Sequence, residues 1–288
     1  MDLVALMAEK RRAIEAALSR YLPDESHRLT KAMRYSLFAG GKRLRPILSL
    51  LSYEAVGGNN PEEIMPVACS LELVHTFTLI HDDLPSMDDD DFRRGKPSSH
   101  KTFGEGMAVL AGDALMIDGM GLMARSTASS RLVKRAISEF ARTLGSAGVT
   151  MGQADDLYGE GRNPKHLRHI HLRKTALFIA FSVKAGALIG GANEELLNKL
   201  YRAGVLAGMG FQVCDDIMDV ICSREELGKT PGKDEDSLKL TYPAVYGLER
   251  SRRISQSYAD RSVEILTSLG PEWERLAALT DYLVRRRR

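Results

Sequence analysis

The chain has 288 residues, and its 40 Lys and Arg against 38 Asp and Glu leave a formal net charge of +2. Hydrophobic residues make up 44% and charged residues 27%, the balance of a globular protein with a sizeable core. The longest stretches without Asp, Glu, Lys or Arg, 143–154 and 203–214, are shorter than the about 20 residues of a membrane-spanning helix. Since the charge is also near neutral, we expect neither nucleic acid nor a membrane as a partner.

The cysteines indicate a reducing compartment. Cys69, Cys214 and Cys222 are odd in number and show no CxxC spacing, which argues against a disulfide scaffold and a thiolate zinc site. Near the N-terminus, basic residues follow a very short apolar patch, which is the reverse of a secretory signal. We therefore expect a cytoplasmic protein.

Helical periodicity dominates the chain from its first residues. Apolar residues in 3–18 recur at spacings of three, four and seven, and the same pattern predicts helices around 28–38, 64–80, 107–124, 132–144, 194–208 and 254–267. Strand pairs with tight turns, Pro/Ser-rich linkers and repeats of 20–50 residues are missing from the sequence. The pattern predicts one all-α domain over residues 1–288, with about ten or more helices.

The first of two acidic clusters follows the apolar run Leu79-Ile80. Six carboxylates lie within residues 82–91. Pro85 should end the preceding helix near Asp83 or Leu84 and swing Asp88 back through a bulge. By itself, such a stretch could be a solvated acidic loop.

The second cluster, Asp215, Asp216 and Asp219, follows the Gly-rich apolar helix 203–211. Asp215 and Asp219 are four residues apart, so both project from one helix face. Carboxylates crowded on an apolar helix are costly unless a cation neutralises them. Oxygen donors are abundant there and Cys and His are scarce, which favours a hard ion such as Mg²⁺. Two clusters that face each other would hold several Mg²⁺ ions and one diphosphate.

Basic residues that could receive phosphate oxygens occur in four places. They are the loop Gly40-Gly41-Lys42-Arg43-Leu44-Arg45, the pair Arg93-Arg94, and the dipeptides Lys174-Thr175 and Lys229-Thr230. Arg offers a bidentate fork and Lys a point charge, and glycine lets backbone amides approach an anion. Neither a Walker phosphate loop nor a GxSxG nucleophile motif is present in the sequence.

These motifs together form an ordered series with specific spacing. The series is Gly41-Lys42-Arg43-Leu44-Arg45-Pro46, Glu72 with His75-Thr76, Asp82-Asp83 with Asp88 and Arg93-Arg94-Gly95, Lys174-Thr175, and Phe211-Gln212 with Asp215, Asp216 and Asp219. From about residue 30 to 245 the chain resembles the trans-isoprenyl diphosphate synthases, in particular the bacterial farnesyl diphosphate synthase branch. The resemblance implies a single all-α bundle around a deep apolar cavity, normally a homodimer.

The resemblance also implies a reaction and its metal. Isopentenyl diphosphate would condense head-to-tail with dimethylallyl or geranyl diphosphate, giving farnesyl diphosphate and pyrophosphate. The cofactor would be about three Mg²⁺ ions, for which Mn²⁺ can substitute. By motif position, the direct metal ligands would be Asp82, Asp88 and Asp215, and the weaker or indirect ones Asp83, Asp216 and Asp219.

The other site residues are carried over in the same way. Arg93, Lys174 and Lys229 would neutralise the allylic diphosphate, with Thr175 and Gln212 facing the allylic carbon and Lys239 helping to close the site. Isopentenyl diphosphate would bind Lys42, Arg45, His75 and Arg94. On the residues alone, His75 could instead be a core histidine paired with Glu72, and Gln212 an interior amide bonded to backbone.

Product length is predicted from the helix that ends at Asp82. Thr78 is four residues back and lies about 6 Å down the same face. Phe77 enters through the resemblance, in which an aromatic residue at that position closes the cavity floor of farnesyl-type enzymes. We therefore expect a product of fifteen carbons.

Other functions remain open as alternatives. They are a geranylgeranyl diphosphate synthase with a C20 product, and a non-catalytic partner subunit of such a synthase. The intact carboxylates argue against the partner subunit. A terpene cyclase would have no use for a second diphosphate site built from Lys42, Arg45 and His75.

The chain departs from the family pattern at three positions. Asp155 stands where an apolar residue is usual, Arg173 where His or Asn is common, and Cys214 where Val is common. None of them removes a proposed ligand, although Asp155 leaves the local packing open.

Overall fold

The computed structural model describes residues 2–159, 163–221 and 240–285. These residues confirm the predicted all-α class. The helices are α1 (Leu3–Tyr21), α2 (Arg28–Leu37), α3 (Leu44–Ala55), α4 (Pro61–Asp82), α5 (Ser99–Phe103), α6 (Glu105–Met123), α7 (Ser130–Leu144), α8 (Val149–Tyr158), α9 (Pro164–His171), α10 (Leu177–Ile189), α11 (Glu194–Ile221), α12 (Tyr242–Tyr246), α13 (Leu248–Thr267) and α14 (Glu274–Arg285). A π-helical turn, Leu172–Ala176, joins α9 to α10, and a 3₁₀ turn, Pro271–Trp273, precedes α14.

The predicted ranges correspond to α1, α2, α4, α6, α7, α11 and α13, and the other described helices lie outside them. Two further features also differ from the sequence prediction. An antiparallel pair of two-residue strands, β1 (Phe92–Arg93) and β2 (Lys96–Pro97), follows the first acidic cluster. Helix α11 continues well past residue 208 and carries the whole second acidic cluster. Helix α4 ends at Asp82, as the position of Pro85 requires.

The described residues form two compact units. Unit 1 comprises residues 2–47 and 61–127, and unit 2 comprises residues 48–60, 128–159, 163–221 and 240–285. Each unit therefore draws on segments that are distant in sequence, and the boundary falls inside α3. The single domain of residues 1–288 stays a prediction.

The core of unit 1 is the contact between α4 and α6. The Ser70 hydroxyl donates to the carbonyl of Gly119 at 2.6 Å. A Cβ on Gly119 would lie 2.7 Å from the Val74 side chain, so the helices approach at a position where only glycine fits. Helix α1 also contacts α4 and contributes the fully buried Ile14 and Leu18.

By length and composition, α4 and α6 are also apolar enough to cross a membrane. The sequence analysis considered only stretches without any charged residue. Each of these helices contains an apolar window of 18 residues that includes no more than two charged ones. In α4 67% of that window is buried inside the protein, against 39% in α6. Helix α4 is thus a core helix, and α6 leaves Val109, Leu110 and Ile117 exposed. The absence of a membrane partner stays a prediction.

Unit 2 is built around α10 and α11. Phe140 of α7 stacks on Phe181 of α10 with ring centroids 4.9 Å apart. Helix α11 packs closely on α10 and on the π-helical turn at two glycines. A Cβ on Gly204 would lie 2.5 Å from the Cα atom of Ala180, and a Cβ on Gly208 would lie 2.5 Å from that of Ala176. A second apolar cluster joins α9, α11 and α12 through Leu167, Val213, Ile217 and Tyr242.

The close approach at Gly208 gives a test of this packing. We expect Gly208→Ala to lower the free energy of unfolding by about 1–3 kcal/mol, because the added methyl group forces backbone apart. The matched control is Gly106→Ala in α6, where nothing lies within 4 Å of the new Cβ and stability should be unchanged or slightly higher. Urea unfolding of both variants measures the difference, and equal effects would contradict the packing.

Candidate functional site

The first acidic cluster folds back on the end of α4. The Asp88 amide donates to the carbonyl of Asp82 at 2.9 Å, and the Asp90 amide to the carbonyl of Asp83 at 3.1 Å. The bulge predicted after Pro85 therefore returns the chain to the helix end. Asp82 and Asp88, the two predicted ligands of this cluster, are both half-buried there.

Asp83 differs from them because it is buried against an arginine. It is 2% exposed and accepts from Nε of Arg93 at 2.9 and 3.2 Å, and also from Nη2. The same guanidinium lies 3.3 Å from Asp90. Burial raises the pKa of Asp83 to about 6, although Arg93 opposes the shift. This pairing fits an indirect role for Asp83 and shows that Arg93 is held by carboxylates of its own cluster.

The basic residues of unit 1 gather along one turn of α4. Nη1 of Arg45 lies 3.2 Å from Nε2 of His75. Burial, and then the charge of Arg45, lowers the pKa of His75 well below its ordinary value, so the ring is neutral and accepts this hydrogen bond. The Arg94 guanidinium donates to the carbonyl of Gly40 and packs on Gly41, where a Cβ would lie 2.8 Å away. The structure thus places Arg45, His75 and Arg94 in unit 1, with Lys42 exposed in the same glycine loop as Gly40 and Gly41.

Glu72 and Arg43 anchor this group, and both stand in the sequence motifs without a predicted role in the site. Arg43 is 2% exposed and has a positive φ of 52°. It donates to Glu72 at 2.8 Å and to the carbonyl of Leu37 at 2.7 Å, while Arg94 lies 3.9 Å from the same Glu72 carboxylate. Glu72 therefore pairs with Arg43 and lies near Arg94, whereas the His75 ring contacts Arg45. In the sequence, a single glutamate inside the apolar run of α4 indicates that a buried cation must pair with it.

In unit 2 the π-helical turn positions Lys174 and Thr175. Such turns occur often at functional sites, because the extra residue redirects side chains. The Thr175 hydroxyl donates to Oε1 of Gln212 at 2.7 Å, and Nζ of Lys174 lies 2.6 Å from a carboxylate oxygen of Asp156. A Cβ on Gly152 would overlap the backbone of Lys174, so this glycine lets α8 reach the turn. The predicted Thr175–Gln212 neighbourhood is present.

The second acidic cluster separates into two kinds of carboxylate. Asp215 and Asp219 are half-buried on one face of α11. Asp216 is 5% exposed and accepts from the backbone amide of Tyr242 at 2.9 Å and from Nε2 of Gln212 at 3.3 Å. Nε2 of His171 lies 3.4 Å from Asp216, and burial lowers the pKa of His171 to about 3. Asp216 thus fastens α11 to α12, and Asp215 and Asp219 form the face that suits a cation.

Two of the three departures from the family pattern compensate each other. Arg173 and Asp155 lie on neighbouring elements, with Nη1 of Arg173 3.4 Å from Oδ2 of Asp155. The pair runs beside the Lys174–Asp156 pair, so the extra acid does not compete for Lys174. Cys214 is simply buried in α11.

The residues predicted to set product length lie in α4. Phe77 is half-buried and makes an edge-to-face contact with His81, with ring centroids 4.9 Å apart. Nε2 of His81 lies 3.1 Å from the carbonyl of Val109 in α6. The Thr78 hydroxyl turns back to the carbonyl of His75 at 2.8 Å. Lys229 and Lys239, two further predicted site residues, lie outside the described residues.

Comparisons with known proteins show which family the chain belongs to. The family model described as polyprenyl synthetase matches residues 26–267. The chain is 43% identical to geranylgeranyl pyrophosphate synthase 12, chloroplastic, of Arabidopsis thaliana, over 98% of this chain and 81% of that protein. It is 42% identical to a dimethylallyltranstransferase of Fischerella ambigua, over 97% of this chain and 82% of that one.

Solved structures show the same likeness. A geranyltransferase of Helicobacter pylori, complexed with magnesium and isoprenyl diphosphate, superposes with a TM-score of 0.87 at 32% identity, covering 99% of this chain and 97% of that one. An FPP/GFPP synthase of Zymomonas mobilis gives a TM-score of 0.86 at 31% identity, covering 98% and 99%. The chain therefore belongs to the polyprenyl synthetase family and has the isoprenoid synthase fold. Within that class it is an enzyme, a prenyltransferase.

The different environments of Asp216 and Asp219 can be separated by mutation. Asp216→Ala should lower the free energy of unfolding by about 1–3 kcal/mol, because it leaves the buried amide of Tyr242 without its acceptor. Asp219→Ala, on the open face of the same helix, should change stability by less than about 0.5 kcal/mol while lowering turnover. Urea unfolding and steady-state assays measure the two effects. A stable Asp216→Ala variant would contradict its fastening role.

Proposed function

We propose that this protein is a Mg²⁺-dependent trans-prenyltransferase that adds isopentenyl diphosphate to allylic diphosphates, with geranylgeranyl diphosphate as its main product. One observation carries the reaction class: each unit holds a pair of half-buried aspartates and, in the same unit, side chains suited to binding a diphosphate. In unit 1 these are Asp82 and Asp88 with Arg45, His75 and Arg94. In unit 2 they are Asp215 and Asp219 with Lys174, Thr175 and Gln212.

The donor set fits Mg²⁺. Asp82, Asp88, Asp215 and Asp219 offer only oxygen atoms, and Mg²⁺ binds proteins through one or two carboxylates while keeping water and phosphate oxygens as its other ligands. The relative from Helicobacter pylori is complexed with magnesium and isoprenyl diphosphate, which supports the same cofactor here. We propose about three ions per site. When bound, the metal neutralises the negative charge that develops on the departing pyrophosphate.

The side chains then have separate tasks in the reaction. The C–O bond of the allylic diphosphate breaks, pyrophosphate leaves, and the double bond of isopentenyl diphosphate attacks the allylic carbon. Lys174, held in place by Asp156, contributes positive charge to the leaving group, with Lys229 and Lys239 proposed for the same diphosphate. Thr175 and Gln212 face the allylic cation with oxygens that stabilise it, and their mutual hydrogen bond fixes their orientation.

The second substrate binds at the basic group of unit 1. Arg45 and Arg94 bind the diphosphate of isopentenyl diphosphate, and neutral His75 keeps Arg45 in place. Lys42, exposed in the glycine loop, adds a further positive charge. Pyrophosphate, once released, takes the proton that isopentenyl diphosphate loses.

Two observations bear on product length and favour different answers. The curated relatives named geranylgeranyl pyrophosphate synthase, at 43% identity over nearly the whole chain, support a C20 product. Phe77 on α4 supports the second candidate, a C15 farnesyl product, because a rigid ring cannot make room for another isoprene unit without strain. We propose C20 as the main product since the likeness extends over the whole chain rather than one residue.

We also propose that the protein is a homodimer. The supporting observation is the exposed apolar face of α6, where Leu110 is 55% and Ile117 65% exposed. Exposed apolar residues that recur along one helix face are typical of an interface. A cytoplasmic location is a further proposal and rests on the cysteine pattern of the sequence.

The metal assignment is tested with one variant from each unit. Asp82→Ala and Asp215→Ala should each lower Mg²⁺-dependent turnover by orders of magnitude, because each removes a proposed metal ligand. Helical circular dichroism should stay nearly unchanged, since both side chains are half-buried at the site rather than in a core. Exposed Asp260→Ala serves as the control and should keep normal turnover. Near-normal turnover in either site variant would refute the assignment.

Product length is tested by incubating the wild type with isopentenyl diphosphate and each allylic primer, then sizing the products. We expect mainly C20 from the wild type. Phe77→Ala should then leave that length unchanged. Mainly C15 from the wild type, with a shift to C20 or longer in Phe77→Ala, would instead establish Phe77 as the floor of the cavity and the farnesyl product as correct.

A further inference from the structure

A cluster that takes no part in the proposed reaction lies at the open end of the β1–β2 hairpin in unit 1. One carboxylate oxygen each of Asp89 and Asp91 and one ring nitrogen of His100 lie within 4.8 Å of one another. Asp89 and Asp91 directly precede β1, and His100 lies in α5 after β2. The three side chains therefore come from the two sides of a hairpin that carries Arg93 and Arg94.

The histidine of this cluster is unusual for a surface acidic group. His100 is 6% exposed, and its Nδ1 lies 3.1 Å from Oγ of Ser98. Its Nε2 is buried and has no hydrogen-bond partner among the residues that the structure describes. A buried N–H without an acceptor is costly, so the favoured tautomer donates from Nδ1 to Ser98 and leaves a lone pair on Nε2. Metal-binding histidines are commonly oriented by such a hydrogen bond on the remote nitrogen.

We propose that Asp89, Asp91 and His100 bind a divalent transition-metal ion such as Zn²⁺, at a site separate from the Mg²⁺ ligands Asp82 and Asp88. Two carboxylates and one imidazole favour first-row transition metals, whereas Mg²⁺ prefers oxygen ligands alone. Ligand atoms about 2.1 Å from a metal lie roughly 3 Å apart, so the present spacing needs only small side-chain movements. Asp89 and Asp91 are exposed and can make them.

Lys101 competes with the metal at this site. Its Nζ lies 2.7 Å from Oδ1 of Asp91, and both side chains are about half-exposed, at 45% and 58%. A metal ion must displace this ammonium group from Asp91. Burial, and then Lys101, lowers the pKa of His100, while Asp89, Asp91 and Glu105 raise it. A metal ion binds the neutral ring. A bound ion would tie the two ends of the hairpin together and so restrain Arg93 and Arg94.

The test is a calorimetric titration of the full chain with Zn²⁺ in excess Mg²⁺, which keeps the Asp82 and Asp88 ligands occupied. We expect one Zn²⁺ per chain in the wild type. Asp89→Asn and His100→Gln should weaken it by about tenfold or more, the loss typical of a changed metal shell. Lys101→Ala should strengthen it severalfold, because the competing ammonium group is gone.

Two controls separate this site from others. Asp82→Asn should keep Zn²⁺ binding, and Asp113→Asn, which changes another aspartate close to a histidine, should keep it as well. If His100→Gln fails to fold, the exposed Asp89→Asn and Lys101→Ala variants still decide the question. Absence of Zn²⁺ binding in the wild type, its loss in Asp82→Asn, or equal affinity in wild type, Asp89→Asn and Lys101→Ala would each overturn the proposal.

Discussion

The cost of burying charge among apolar helices is the constraint on which the site depends. A charged group inside such a core must be paired, since an unpaired one is destabilising by several kcal/mol. Glu72 meets this requirement in unit 1, where its carboxylate pairs with the buried Arg43 and lies near Arg94. Arg43 also donates to the carbonyl of Leu37, so it links Glu72 on α4 to the end of α2, directly before the glycine loop.

The same constraint divides each acidic motif into structural and exposed members. Asp83 accepts hydrogen bonds from Arg93, and Asp216 accepts them from the Tyr242 amide and from Gln212. Asp82, Asp88, Asp215 and Asp219 remain half-buried on faces that water and ligands can reach. A cluster of carboxylates can therefore be stable before any metal binds, because its most buried members already have protein donors. Burial separates Asp83 and Asp216 in the way the ligand prediction does, but it groups Asp219 with Asp82, Asp88 and Asp215 rather than with the indirect ligands.

Basic residues follow a related rule in unit 2. Lys174 and Arg173 are neighbours on a π-helical turn, and each has its own acid on α8, Asp156 and Asp155. The turn displaces these side chains from the regular helical register and presents Thr175 to Gln212. Helix α8 can approach the π-helical turn this closely only because Gly152 has no side chain. The glycine is therefore as necessary to this arrangement as the four charged residues.

Helical periodicity and motif spacing are local properties of the chain, so the sequence was enough to predict the all-α class, seven of the described helices, the two acidic motifs and the family. Which carboxylates are structural can be seen only in the folded protein. Asp216 is fastened by an amide 26 residues away, and Asp155 is balanced by an arginine 18 residues away. The sequence predicts His75 as a diphosphate-binding residue, whereas its contact with Arg45, 30 residues earlier in the chain, is seen only in the folded protein. Such pairings depend on where distant side chains meet in space, and no periodic pattern encodes that.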